Sequence, residues 1–218
     1  MTLRIGTRGS KLALAYTDQA IQSLDCDTEV VIVKTPGDID QTTPIYEMGG
    51  KGVFCSTIEQ ELLNNNIDVA VHSLKDMPGQ ETDGLSISAM LKRNSPYDVI
   101  VGKIKMDCTI GTSSPRRKAQ LLDLYDSLNI NIKPIRGNID TRLEKLDNGE
   151  YDAIVLAEAG LQALDIRRTT IKLPIVPAVG QGIIALQTRT GDQATIDIVS
   201  KANHSKTCLL YTSPSPRD

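Results

Sequence analysis

The residues with the most chemistry to offer are cations placed just after apolar runs. Arg8 follows "LRIGT", and Lys75 and Asp76 follow "VAVHSL". Arg116 and Arg117 follow "TIGTSSP", Arg136 ends "INIKPI", and Arg142 lies six residues further on. If the apolar runs are strands of open α/β sheets, each cation lies beyond a carboxyl end, where such sheets bind ligands. A chain of net charge −3 has thus gathered positive charge on one edge. That pattern suits a small ligand carrying several carboxylates or phosphates.

"GTSSPRR" is the sharpest local case. Thr112, Ser113 and Ser114 supply hydroxyls, and Pro115 suits a first helical position. The helix start adds unpaired N–H groups and the positive dipole end. The same residues could equally make a capped helix with two solvated arginines, and "IRGN" alone is an ordinary turn. On the ligand reading, removing Arg117 should weaken binding and leave the fold largely intact. Lys75–Asp76 is also open to two readings, since an exposed pair in a turn contributes little. A carboxylate among cations is a poor strong base. It is well placed to stabilise a positive charge developing on a ligand and to exchange a proton with a nitrogen.

Other chemistries are excluded. "GGKG" around Lys51 lacks the Ser or Thr that a phosphate loop places after its Gly-Lys. There is no G-x-S-x-G elbow. His72 and His204 are the only histidines, and neither neighbours a Cys pair, so no metal site is expected. Cys26, Cys55, Cys108 and Cys208 lie far apart, as reduced thiols of a cytoplasmic protein would. Net negative charge, no Trp and a single Phe, Phe54, argue against a nucleic-acid partner. No stretch is apolar enough to span a bilayer, and "MTLRIGTRGS" contains no signal-type apolar core.

The elements that must position these residues alternate between strand and helix. "LRIGTR" is a strand, and Ser10 caps a helix with Ala13, Tyr16, Ala20 and Leu24 at helical spacing. "EVVIVK" is a strand, followed by the long Pro/Gly-rich loop "TPGDIDQTTPIYEMGGKG". "VFCSTIEQELLNNN" is a helix with Phe54, Ile58, Leu62 and Leu63 inward, and "IDVAVHSL" is a strand. "LSISAML", "DVIVG", "CTIGTSS", "INIKPIR", "YDAIVLAEAG" and "IIALQTR" are further strands. "SPRRKAQLLDLY", "GNIDTRLEKLDNG" and "DQATIDIVSKAN" are helices. The alternation predicts an α/β fold with mostly parallel sheets covered on both faces. Lys92–Pro96 reads as a crossover and Pro174–Gly182 as the return, with Gln181 in a Gly-flanked hinge. Domain 1 is therefore expected over 1–91 plus 182–207 and domain 2 over 92–181. The tail 208–218, "CLLYTSPSPRD", reads as unrelated and unstructured.

"RIGTRGSKLAL", "GGKGVF", "VAVHSLKDMP", "GTSSPRR", "IRGNIDTRL", "LDNGEYDAIVLAEAGL" and "PAVGQG" occur in this order. Together they closely resemble the porphobilinogen deaminase (hydroxymethylbilane synthase) family, from Leu3 to about Thr207. The resemblance implies two domains like the type II periplasmic-binding-protein fold with a cleft between them, and a small third α/β domain. A cysteine of that third domain would anchor a dipyrromethane cofactor. The implied reaction joins four porphobilinogen molecules head to tail with loss of ammonia, in haem and tetrapyrrole biosynthesis. Matched residue by residue, Asp76 would be the catalytic carboxylate. Arg8, Ser10, Lys75, Ser113, Ser114, Arg116, Arg117, Arg136, Gly137 and Arg142 would hold the acetates and propionates of cofactor and chain. Lys51 and Phe54 would belong to a mobile loop and Gln181 to a hinge. The partner would be porphobilinogen, and the protein a monomer. Two departures carry expectations. Glu47 stands where the family usually has a basic residue. From Cys208 on the likeness ends, so the third domain would be missing, Cys208 would not be the cofactor cysteine, and this chain would be inactive. A non-enzymatic small-anion-binding protein of the same two-domain architecture is the rival reading.

Overall fold

Leu3 and Ile5 are wholly buried in strand β1 (Thr2–Thr7), which pairs in parallel with β2 (Asp27–Ile32) and β3 (Val69–Ser73). The computed structural model describes residues 1–35 and 55–212. Lys51, Phe54 and Glu47 lie outside the described residues. The chain divides into two compact units, Met1–Asn94 with Gly182–Asp218, and Ser95–Gln181.

The first unit holds a five-stranded sheet of order β2-β1-β3-β10-β4, with β4 at Leu85–Met90 and β10 at Ile184–Arg189. Its helices are α1 (Lys11–Gln22), α2 (Ser56–Leu63), α6 (Gln193–Val199) and α7 (Ser205–Thr212). The side chain of Ser10 caps α1 by accepting from the Ala13 N–H at 3.3 Å. Tyr16 and Ala20 of α1 face the core, as do Ile58 and Leu62 of α2. Leu63, expected inside, is instead 42% exposed, because at the end of α2 it falls on the outer side of the helix.

The second unit holds a sheet of order β7-β6-β8-β5-β9. Its strands are β5 (Asp98–Gly102), β6 (Thr109–Gly111), β7 (Asn131–Lys133), β8 (Ala153–Ala157) and β9 (Thr170–Lys172). Its helices are α3 (Pro115–Leu124), α4 (Ile139–Asp147) and α5 (Glu158–Ala163). Val99, Val101, Ile154 and Leu156 pack on one face of the sheet, and Ile100, Ile110, Leu121 and Val155 on the other.

Each sheet keeps four of its five strands in one sense and reverses one: β10 runs antiparallel to β3 and β4, and β5 antiparallel to β8 and β9. Both reversed strands are the first that the chain forms after passing from one unit to the other, so they enter their sheets from the opposite end. The strand expected over "YDAIVLAEAG" ends at Ala157, and Glu158–Gly160 start α5, a short helix that Ala157 leaves without a side-chain cap. Residues 208–212, assigned to an unstructured tail, belong to α7. The start of that helix is tied down by His204, whose N–H donates to Met90 O at 2.8 Å, and by Thr207, whose hydroxyl accepts from the Arg93 N–H at 3.1 Å. The remaining residues, 213–218, lie outside the described residues.

Candidate functional site

In the first unit Lys75 and Asp76 sit on a single 3-10 turn, Leu74–Asp76, directly after β3. Leu74 and Met77, on either side of the pair, are buried against Cys55, Met90, Ile183 and Ala185. The Leu74 N–H donates to Ile183 O at 3.0 Å, and the Met77 N–H donates to Leu74 O at 3.2 Å. Two apolar anchors and two backbone bonds thus fix a half-buried Lys75 and Asp76 at the strand end. Behind them the Cys55 thiol donates to Asp76 O at 3.5 Å. Burial, then the charges of Asp76 and Glu59, push that thiol up to about 12. Tyr16 lies buried in α1, where burial and the Asp76 charge push its phenol up to about 12. Arg8 follows β1, half-buried, two residues before the Ser10 cap.

A buried polar chain backs the same strand. Gln187 donates through Nε2 to Glu59 Oε1 at 2.9 Å, and the Thr82 hydroxyl donates to Glu59 Oε2 at 2.9 Å. Gln187 Oε1 is left as an acceptor 3.1 Å from His72 Nε2. Burial lowers the His72 pKa, against the opposing pull of Glu59, Gln187 and Asp76.

In the second unit the three hydroxyls of "GTSS" build the turn itself. Thr112 Oγ1 accepts from the Ser114 N–H at 3.2 Å, and Ser114 Oγ caps α3 by accepting from the Arg117 N–H at 3.4 Å. Ser113 Oγ donates to Ile135 O at 2.7 Å and accepts from the Ile135 N–H at 3.0 Å. A hydroxyl has one proton, so Ser113 has no donor left for a ligand, whereas Ser114 keeps its own.

The two arginines differ as well. Arg117 is buried, donating through Nε and Nη2 to Asp98 Oδ1 at 3.0 and 2.7 Å and through Nη1 to Val155 O at 3.0 Å. Arg117 thus counters a buried carboxylate, which argues against the expectation that its removal leaves the fold largely intact. Arg116, its side chain 27% exposed, donates through Nη2 to Asp98 Oδ2 at 2.7 Å and through Nη1 to Val176 O. Burial alone would raise the Asp98 carboxyl, but Arg117 and then Arg116 pull it below the usual carboxylate value. Asp98 was not singled out from sequence. Its one signal is a carboxylate opening a fully apolar strand, next to the crossover.

Arg136 follows β7 half-buried. Gly137 has φ +108°, and a Cβ there would lie 2.9 Å from Thr141 Cβ. Its carbonyl accepts from Arg142 Nε at 2.7 Å, which turns Arg142 back towards the strand end. Gln181, between Gly180 and Gly182 at φ +72° and +82°, is buried and donates to Pro96 O at 2.8 Å and Asp98 Oδ1 at 3.1 Å. Among the described residues there is no cluster of His, Cys, Asp or Glu that could hold a metal, and no helix long and apolar enough to cross a membrane.

Two α/β units with mixed sheets, each with cations beyond its strand ends, have the fold of the periplasmic-binding-protein type. Solved structures show the same fold. A periplasmic substrate-binding protein of an ABC transporter from Coxiella burnetii matches with TM-score 0.52 at 12% identity, covering 95% of this chain and 94% of that one. An ancestral cationic amino acid solute-binding protein matches with TM-score 0.52 at 15% identity, over 96% and 93%. Sequence comparison is more specific. Residues 3–197 match the family described as "Porphobilinogen deaminase, dipyromethane cofactor binding domain". A probable porphobilinogen deaminase of Archaeoglobus fulgidus is 44% identical over 96% of this chain and 75% of its own length. The porphobilinogen deaminases of Orientia tsutsugamushi and Ehrlichia canis are 43% and 44% identical, each over 96% of this chain and 75% and 76% of their own lengths. The chain belongs to the porphobilinogen deaminase family, the transferases that make hydroxymethylbilane with a dipyrromethane cofactor.

Proposed function

We propose that Asp76 is the catalytic carboxylate of this transferase. Arg8, Ser10, Lys75, Ser114, Arg116, Arg136 and Arg142 hold the acetate and propionate groups of substrate and cofactor. The observation that carries this reading is the 3-10 turn after β3, which presents one half-buried carboxylate between two buried anchors beside Lys75. The donor set is guanidinium, ammonium and hydroxyl at strand ends, and it fits a ligand bearing several carboxylates. When bound, the dipyrromethane supplies the pyrrole chain end to which each new unit is joined. Asp76 accepts a hydrogen bond from the substrate pyrrole N–H and stabilises the positive charge that develops there as ammonia departs. It also takes up and returns a proton at that nitrogen. Arg117, buried on Asp98, contributes through its charge, and Ser113 through the frame. Gly137 acts through its carbonyl on Arg142.

Porphobilinogen is the partner of this site, and we infer a cytoplasmic monomer. Among the described residues no disulfide joins Cys26, Cys55, Cys108 or Cys208, which supports a reducing compartment. The test is Asp76→Asn in the full-length enzyme. Condensation should fall by about 10²- to 10⁴-fold while porphobilinogen still binds. An unchanged rate would remove Asp76 from the chemistry.

A further inference from the structure

The carboxylate of Asp98 has no solvent-exposed surface and gathers three side chains from separate parts of its unit. Arg116 and Arg117 come from the first turn of α3, and Gln181 from the last residue before the chain leaves the unit. Asp98 itself opens β5, immediately after the segment by which the chain arrives. Gln181 also bonds to Pro96 O on that arriving segment. The departing segment is held to α3 a second time: Gln120 Oε1 accepts from the Val176 N–H at 2.7 Å, and Val176 O accepts from Arg116 and from Gln120 Nε2.

Charge and geometry divide the labour. One carboxylate faces two guanidiniums at the α3 N-terminus. Arg117 spends three donors on Asp98 and Val155. Arg116 has one N–H on each oxygen of a bracket, Asp98 Oδ2 and Val176 O, which fixes the plane of its fork with an edge still open to solvent. A guanidinium held in one plane loses less rotamer entropy when it meets a carboxylate.

We propose that Asp98 is the positioning residue of the arginine pair. It sets the plane in which Arg116 meets a ligand carboxylate, and through Gln181 it ties that plane to the two segments by which the chain enters and leaves the unit. The proposal rests on the reading of Arg116 as a ligand contact. A buried pair serving stability alone would predict no effect on ligand affinity per folded molecule.

The experiment compares Asp98→Asn, Arg116→Met and the charge-balanced double variant Asp98→Leu/Arg117→Met in the full-length enzyme. Exchanging a buried ion pair for apolar groups of similar volume is often neutral for stability, so the double variant keeps the fold while removing the anchor of Arg116. Porphobilinogen binding to cofactor-free protein is followed by calorimetry, and KM and kcat are measured on loaded enzyme. Asp98→Asn and the double variant should each weaken binding and raise KM about tenfold, with kcat within about threefold. Unchanged affinity and KM in the double variant would overturn the proposal, as would failure of both Asp98 variants to fold, which would assign Asp98 to structure alone. If Arg116→Met leaves affinity unchanged, the ligand reading of Arg116 falls and the proposal with it. If Arg116→Met weakens binding while the Asp98 variants do not, only the positioning role is lost.

Discussion

The Ser113 hydroxyl closes both backbone polar groups of Ile135, donating to its carbonyl at 2.7 Å and accepting from its N–H at 3.0 Å. Ile135 is buried, so the two groups have no water to turn to. The bond pair ties the end of β6 to the segment that leads into Arg136. Ser113→Ala should therefore cost about 1–3 kcal/mol through unsatisfied buried groups, read as a lower urea midpoint. Ser114→Ala removes only a helix cap, about 1 kcal/mol, and should weaken porphobilinogen binding as well.

Arg117→Met leaves Asp98 with Arg116 and Gln181 but strips its main counter-charge. Breaking a buried pair costs about 3–5 kcal/mol, and the surviving partners place this case at the low end. Thermal melts without ligand should show the loss. A melting temperature equal to wild type would restore the picture of two solvated arginines.

Asp68 lies between Arg4 and Arg189 at the other end of the first sheet. Burial would raise its carboxyl, but hydrogen bonds from the Arg4 side chain and backbone, and from Arg189, overcome this and hold it at about 2. A carboxyl lower in the folded than in the unfolded chain gives stability that is complete above the unfolded value, about 3.9. That stability is lost as pH falls through the folded value. Wild type should therefore lose stability between about pH 4 and pH 2, and Asp68→Asn should be less stable at neutral pH with a flatter acid limb. Urea midpoints across that range give the measurement.

His72 should be neutral with its proton on Nε2. Gln187 must use its amide N–H on Glu59, so its oxygen faces the imidazole as an acceptor. Nitrogen-15 NMR should find this tautomer, titrating below the usual histidine value. Because the folded pKa is lowered, the unfolded chain takes up the proton first, and stability should fall as pH drops below about 6.5. His72→Gln should remove that slope. A histidine titrating normally would break the buried chain.

Gly137→Ala puts a Cβ against Thr141 at a backbone angle that side chains avoid. A non-glycine residue held there costs of order 1–3 kcal/mol. The same shift moves the carbonyl that holds Arg142. Both the melting temperature and porphobilinogen affinity should drop.

The strands that carry the site were legible because apolar runs bounded by Gly, Pro and Ser leave little freedom. "DVIVG" is β5 residue for residue, and Ser114 with Pro115 marks the start of α3. Which residues face a ligand was less legible. Spacing places Arg116 and Arg117 together at a helix start but cannot show that one guanidinium turns inward, because the carboxylate it meets lies eighteen or nineteen residues earlier. Ser113 and Ser114 are likewise adjacent, and only the approach of Ile135 separates their duties. The one reversed strand of each sheet was not legible for a related reason. Local sequence sets the period of a strand, while its sense in the sheet depends on where the chain last came from.

The position of β10 between β3 and β4 has a consequence for synthesis. Among the described residues β4 pairs with no strand but β10, which is made nearly a hundred residues later. As the chain emerges from the ribosome, the continuous unit Ser95–Gln181 has every strand of its sheet before β10 exists. The unit bearing Asp76 must wait, with β4 unpaired, until residues 184–189 arrive. Translation thus sets the order of assembly: the arginine platform forms first, and the sheet beneath Asp76 closes last.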